Sequence, residues 1–412
     1  MKEVLSRLAF LASVVVLSIF YGVFASMRNW FPYPQFIEAR STITNVRENW
    51  LNDFGFVPTR HLAPVKDEDR PPYRVALPAR ISPGYVVISG LTPGRDTLQG
   101  AVLYDANGEE VHSWQLDYAT IAPGKQPETN VLLHGFEVLP DGSAVATFDN
   151  GDVMTRVDAC GKPIWTTPGR FHHVVSPTAG DVIWSWRIED LVKLDLKTGK
   201  ILDVIRLRED IIDKFWLYGK LAIHAVENKD KLTYGADSFH ANDVEALSPE
   251  MADDFPRFKA GDLLISLREL NLVAVLSAKT HDLLWWSYGP WFRQHDPDFI
   301  AGGKISVFDN QMGLGPSRII ALDPETNKWQ VSFQGSPATP FYSWRRGKHQ
   351  VMPNGNILIT ESEAGRVFEV TPDGQLVWER NLIYDDERNY VITEASHLAP
   401  DYFEPGALEC AD

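Results

Sequence analysis

Only two cysteines, Cys160 and Cys410, occur in 412 residues. That excludes a multi-disulfide scaffold, and without a C-x-x-C pair there is no zinc-ribbon spacing. The two thiols can form one bridge or stay free, and their spacing does not decide which. A basic excess is missing too. The formal net charge is −16, which excludes a general nucleic-acid binder, because such proteins neutralise phosphates with a basic surface. An anionic small substrate stays admissible, since a channel can be locally positive on an acidic protein. The common hydrolytic signatures are also absent. There is no G-x-S-x-G nucleophile elbow, no glycine-rich phosphate loop and no H-E-x-x-H zinc motif.

Long apolar runs are absent with one exception. Leu8 to Met27 is uncharged throughout, enough to cross a hydrocarbon core of roughly 30 Å. A cleaved signal peptide has a shorter core of about 7–15 residues, although Val23-Phe24-Ala25 would suit a cleavage site. The expectation is an uncleaved transmembrane anchor over residues 1–27, with the remaining chain on the periplasmic, extracytoplasmic side.

Residues 28–78 read as a proline-rich stalk with one short helix-like stretch over 42–54, because prolines at that density break regular structure. Hydrophobic residues make up 44% of the chain and charged residues 23%, so a large core can form and global disorder is excluded.

From residue 84 a pattern recurs: a short apolar strand, an Asp/Asn/Gly turn, and a second strand often closing on tryptophan. The copies are Ala101–Trp114, Val153–Trp165, Leu191–Val204, Leu272–Trp286, Arg318–Trp329 and Arg366–Trp378. A spacing of roughly 50 residues is the signature of propeller blades. A blade cannot bury both faces alone, so neighbours stack around an axis. Between these copies run hairpins that begin with histidine: His134, His173, His240, His295 and His349. Two hairpins make a four-stranded blade. The expected fold is all-β: a six-bladed β-propeller over residues 79–405, closed by pairing a strand near Tyr85–Ser89 with one near His397. Residues 205–239 interrupt the rhythm and read as an insertion, either a cap on one face or a surface loop.

The start of an innermost strand lies at the rim of the axial channel. Five histidines at that repeat position would therefore converge, although any one of them alone would read as a turn or core residue. On a strand, i and i+2 share a face, so His240 and Asn242 point the same way. Arg268 ends the partner strand, and a guanidinium fork suits a tetrahedral oxyanion. The alternative for Arg268 is a salt bridge with Glu269 or Glu245. Gly289–Phe299 forms a polar and aromatic loop beside His295, and Trp344–Gln350 is similarly basic and aromatic. With no other nucleophile motif present, imidazole itself is the reactive group, as nucleophile or as metal ligand.

The segments HANDVE, GDLLISLRELNLVAVL, GPWFRQHDPDF, KISVFDN, GKHQVMPNGNILITESEAGRVFEV and DGQLVWE resemble the bacterial arylsulfotransferase-like family of six-bladed propellers. The resemblance implies transfer of a sulfuryl group from an aryl sulfate donor to a phenolic acceptor, independent of PAPS and without a cofactor or metal. It implies a ping-pong mechanism through a sulfohistidine. Carried onto this sequence, His295 matches the nucleophile, His240 and Asn242 the pair contacting the sulfuryl oxygens, and Arg268 the clamp. A further channel histidine is His134 or His173. The substrate-binding set is then His134, His173, His349 and Trp291, with Trp285, Phe292 and Tyr342 as further aromatics near the ring. Oligomerisation is left open. Two other readings compete. One is a metal-dependent hydrolase or lactonase using His240, Asp243, His295 and Asp296. The other is a non-catalytic binding propeller, since fold does not fix function.

Overall fold

The computed structural model describes residues 2–28, 30–53, 61–65, 70–92, 99–125, 131–217, 226–228, 231–233 and 239–410. The turn-centred repeats fold as six antiparallel blades. Blade one comprises Leu132–Val138, Ala144–Asp149, Val153–Val157 and Pro163–Pro168. Blade two comprises Phe171–Thr178, Val182–Arg187, Asp190–Asp195 and Ile201–Arg206. Blade three comprises Ala241–Ala246, Leu263–Leu267, Leu272–Leu276 and Leu283–Ser287. Blade four comprises His295–Ile300, Lys304–Asp309, Arg318–Leu322 and Trp329–Gln334. Blade five comprises Lys348–Val351, Ile357–Glu361, Arg366–Val370 and Leu376–Asn381.

Blade six closes the ring. Its innermost strand, Ile392–Leu398, pairs with Tyr85–Leu91, and Gln99–Asp105 and Glu110–Leu116 follow outward. The expected closure of early chain on late chain is therefore what forms.

The acidic turns have a local cause. Asp105, Asp158 and Asp323 each accept the backbone N–H two residues on, which fixes the reversal before the outer strand begins. The recurring tryptophans join one blade to the next. Trp114 Nε1 donates from blade six to Gly142 O at 2.8 Å, Trp165 Nε1 from blade one to Leu196 O at 3.0 Å, and Trp285 Nε1 from blade three to Asn327 Oδ1 at 3.2 Å. Between blades the gaps are apolar. Trp184, Trp186, Leu191 and Ile205 of blade two pack on Val244, Leu263, Ile265 and Leu272 of blade three. Leu207, Ile211, Ile212 and Leu217 join that same layer, so the described part of the 205–239 segment is core material between two blades. Much of the rest of that segment lies outside the described residues.

A separate compact unit holds two helices, Lys2–Arg28 and Tyr33–Asp53. The first is long and apolar enough to cross a membrane. The second is longer than the 42–54 stretch expected from sequence. Pro34 falls in its first turn, where a missing N–H has no helical partner to lose. Two further segments of the expected stalk pair with the propeller: Leu62–Pro64 with Arg388–Tyr390, and Tyr73–Val75 as a fifth strand on blade five. Near the other end, Cys160 and Cys410 are joined, with Cα atoms 5.6 Å apart. Before that bond, Tyr402 Oη donates to Val138 O and Glu404 N donates to Pro140 O, so the last residues strap onto blade one.

Candidate active site

Five of the six innermost strands slip register near their start. The irregularity falls between Leu133 and Gly135, His172 and Ser176, Ala241 and Asp243, His295 and Pro297, and Ile392 and Glu394. A bulge re-aims the side chain at the extra residue. His173 and His240 also take left-handed backbone at φ 65° and 46°, a conformation that costs a non-glycine residue energy and is held only by its surroundings.

The result is one cluster of imidazoles. Ring centroids of His134 and His173 are 3.9 Å apart, those of His172 and His173 4.8 Å, and those of His173 and His240 5.1 Å. Together with His295 and Arg268 they line a pocket of about 360 Å³ that also takes in Asp149, Arg170, Ile188, Glu189, Arg345 and Arg346.

Burial holds these imidazoles neutral. His240 and His295 lie well below the ordinary histidine value, first through desolvation and then through the nearby Arg268 charge. His173 is lowered the same way by burial and its histidine neighbours, and His134 is pushed down to about 3. Neutral imidazole is the nucleophilic and basic form.

Which nitrogen carries the proton follows from the partners. Asn310 Nδ2 sits 2.8 Å from both Ser343 O and Arg346 O. Two carbonyl acceptors fix that atom as the amide nitrogen, so the amide oxygen faces His295. His295 Nδ1 lies 2.8 Å from that oxygen and must donate, which leaves the lone pair on Nε2. A second chain of the same logic runs through blade two. His172 Nε2 donates to Ile188 O at 2.7 Å, so its Nδ1 accepts from His173 Nδ1 at 2.6 Å. His173 thus also carries its lone pair on Nε2. His134 Nδ1 is buried and has no hydrogen-bond partner among the described residues.

Arg268 does both things weighed from sequence. It lines the pocket, and its Nη2 pairs with Glu269 Oε1 at 3.0 Å. Arg293 pairs with the other oxygen of Glu269. Burial alone would raise Glu269, but the two guanidiniums hold it at about 2, so the trio keeps one net positive charge.

The innermost strands of the other blades also carry a carboxylate layer around one cation. Lys348 Nζ is 2.7 Å from Asp243 and 2.7 Å from Asp296. Burial would lower Lys348, yet the two carboxylates keep it charged. Asp296 also accepts from the backbone N and Nδ1 of His349. It sits at φ 49° in the bulge directly after His295, so this anchoring sets the backbone that carries His295. Burial and their mutual repulsion push Glu137 and Glu245 up to about 8 and Glu394 to about 7.

The family model described as Arylsulfotransferase (ASST) matches residues 100–383. The chain belongs to the arylsulfotransferase family. No curated protein sequence matches it. Among solved structures it is similar to a protein of unknown function from Bacteroides caccae, at 12% identity over 76% of this chain and 98% of that one, with a TM-score of 0.48. It is also similar to virginiamycin B lyase from Staphylococcus aureus, at 11% identity over 62% of this chain and 71% of that one, with a TM-score of 0.37. At these values the likeness carries nothing about chemistry.

Of the residues singled out from sequence, this arylsulfotransferase-family chain brings His134, His173, His240, Arg268 and His295 to one pocket. Asn242, His349 and Trp291 do not line it. Asn242 is buried and its Nδ2 donates to Gln294 O at 2.9 Å, holding the residue before His295. His349 is buried between Asp296 and Ser306 Oγ. Trp291 packs in the core with Phe255 and Phe299, and its Nε1 donates to Asn271 O. Trp285 lies in that same core, and neither Phe292 nor Tyr342 lines the pocket.

The metal set weighed from sequence also separates. His240 and His295 line the pocket, whereas Asp243 and Asp296 hold Lys348. The group with ligand-type atoms close together is Asp296, Asp298 and His349, within 4.8 Å, and Lys348 already supplies its cation. The sequence reading missed His172, although the His-His doublet marks it. It also missed Asn310, which ends the segment KISVFDN, and Lys348, which precedes His349.

Proposed function

We propose that this chain transfers a sulfuryl group from an aryl sulfate to a phenolic acceptor by a ping-pong route through His295. The observation that carries the reading is the hydrogen bond from His295 Nδ1 to Asn310, which leaves Nε2 unprotonated beside Arg268. In the first half, the Nε2 lone pair attacks sulfur and the S–O(aryl) bond breaks, its electron pair leaving on the phenolate oxygen. The positive charge that develops on the ring is shared through Nδ1–H to the Asn310 oxygen. Arg268 meets the charge on the non-bridging oxygens, which is preorganised electrostatic stabilisation. In the second half, the acceptor phenol gives its proton to His173 Nε2 as its oxygen attacks sulfur, and the S–Nε2 bond breaks. His295 is restored.

The Cys160–Cys410 bond supports a propeller that matures in an oxidising compartment, tethered through the Lys2–Arg28 helix on the extracytoplasmic side. The test uses the full chain in detergent with 4-nitrophenyl sulfate and phenol. Nitrophenol release and phenyl sulfate formation are expected, both lost in His295→Ala, with a sulfuryl adduct on the His295 peptide when acceptor is withheld. Release that survives His295→Ala would remove the assigned nucleophile.

A further inference from the structure

The pocket divides by chemistry. One part holds His240, His295 and Arg268, and the rest is walled by Arg170, Arg345, Arg346, Asp149, Glu189 and Ile188. Those six residues face whatever part of the substrate does not react, and three kinds of group can be weighed against them. A bare arene needs apolar walls, yet Ile188 is the one apolar side chain in the lining, and it is 56% exposed. A second anion needs a surplus of cations. Arg346 is matched by Glu363 at 3.4 Å, and Asp149 and Glu189 stand against Arg170 and Arg345. The one net charge of the Arg268, Arg293 and Glu269 trio is answered by the sulfuryl group. No surplus is left. A neutral group with many hydroxyls fits instead, because each hydroxyl donates to a carboxylate and accepts from a guanidinium.

We propose that the non-reacting part of the substrate is a sugar or a similar polyol, so that the pocket takes phenolic glycosides. This rests on the sulfotransfer reading. It adds what Asp149, Arg170 and Glu189 do, which is to hold hydroxyls at the end of the pocket away from sulfur.

The experiment compares two acceptors of matched phenol chemistry, 4-hydroxyphenyl β-D-glucopyranoside and 4-methoxyphenol, with 4-nitrophenyl sulfate as donor and the full chain in detergent. The glucoside is expected to show a kcat/KM roughly tenfold or more above 4-methoxyphenol. That ratio should collapse toward one in Glu189→Gln and in Arg170→Ala. The donor burst of nitrophenol reports whether each variant still folds. A ratio near one in the parent chain, or one that both variants leave intact, overturns the proposal. So does 4-hydroxybenzoate outrunning the glucoside, which would assign the rim to an anion. Absence of any nitrophenol release from the parent chain fails the sulfotransfer reading itself and takes this inference with it, whereas release without discrimination fails this inference alone.

Discussion

His295 and Asn310 are tied by a hydrogen bond of 2.8 Å from Nδ1 to Oδ1, and the amide is held in that sense by two backbone carbonyls, Ser343 O and Arg346 O. The relationship fixes both the tautomer and the aim of the ring. In Asn310→Ala the ring loses its only acceptor on that side and can rotate or shift its proton. Turnover should fall by about 100-fold, the scale of a small misplacement of a reacting group. KM for the donor should move far less. Steady-state kinetics with 4-nitrophenyl sulfate check this, and a change confined to KM would refute the positioning role.

The pH profile follows from the buried imidazoles. Each of His173, His240 and His295 is lowered well below 6.5 by burial, assisted by neighbouring positive groups. A lowered imidazole stays neutral as pH falls through 6.5. The kcat/KM for aryl sulfate should therefore be flat from pH 7 down through 6.5, with any loss of nucleophile coming only in more acid solution. A midpoint at the ordinary histidine value would contradict the assignment of a buried neutral nucleophile.

His172 separates the two half-reactions. It orients His173 through the Nδ1–Nδ1 hydrogen bond and touches neither His295 nor Asn310 in the hydrogen-bond network. In His172→Ala the initial nitrophenol burst should persist while steady turnover drops by roughly 10²-fold, the usual contribution of a positioned base. A burst that disappears together with turnover would place His172 in the first step as well.

The fold was legible from sequence because the outer hairpins repeat a mechanism. Asp turns and closing tryptophans recur where blades must reverse and join, as Asp158 and Trp165 do. The histidines were legible as a position in that repeat. The bulges were not, because a single extra residue such as His134 or Asn242 leaves no mark in a degenerate repeat. Strict alternation pointed Asn242 with His240, and the bulge between Ala241 and Asp243 breaks that alternation. Trp291 and His349 were misplaced for a related reason. Aromatic and imidazole side chains serve core and site alike, and only packing against Phe255 or hydrogen bonding to Asp296 separates the two uses. Asn310 was unreadable because its role is set by two carbonyls more than 30 residues away.

The disulfide yields a stability prediction. Cys160 and Cys410 are 250 residues apart in sequence, and the bond fastens the last strap to blade one beside the closure in blade six. Reduction should lower stability by roughly 2–5 kcal/mol. Cys160→Ser, Cys410→Ser and the double variant should all show the same loss, because each removes one bond. Unfolding followed with and without reductant measures this, and additive losses in the double variant would show that the thiols act separately.

The carboxylate layer makes stability depend on pH in a direction opposite to that of most surface acids. Glu137 and Glu245 are pushed by burial from 4.5 up to about 8 in the folded protein. Between those values the unfolded chain has given up the proton and the folded chain still holds it. Fewer protons are bound in the unfolded state, so unfolding becomes easier as pH rises. Asp296 and Glu269 work the other way, since both are held at about 2 and their contribution is lost only in strong acid. The thermal midpoint should therefore decline steadily from about pH 4.5 to pH 8. Glu137→Gln keeps the shape of the neutral acid and cannot ionise, so it should flatten that decline and raise the midpoint at pH 8 relative to the parent. A parent midpoint that climbs over the same interval, or a Glu137→Gln curve parallel to it, would mean that these carboxylates are ionised in the folded channel.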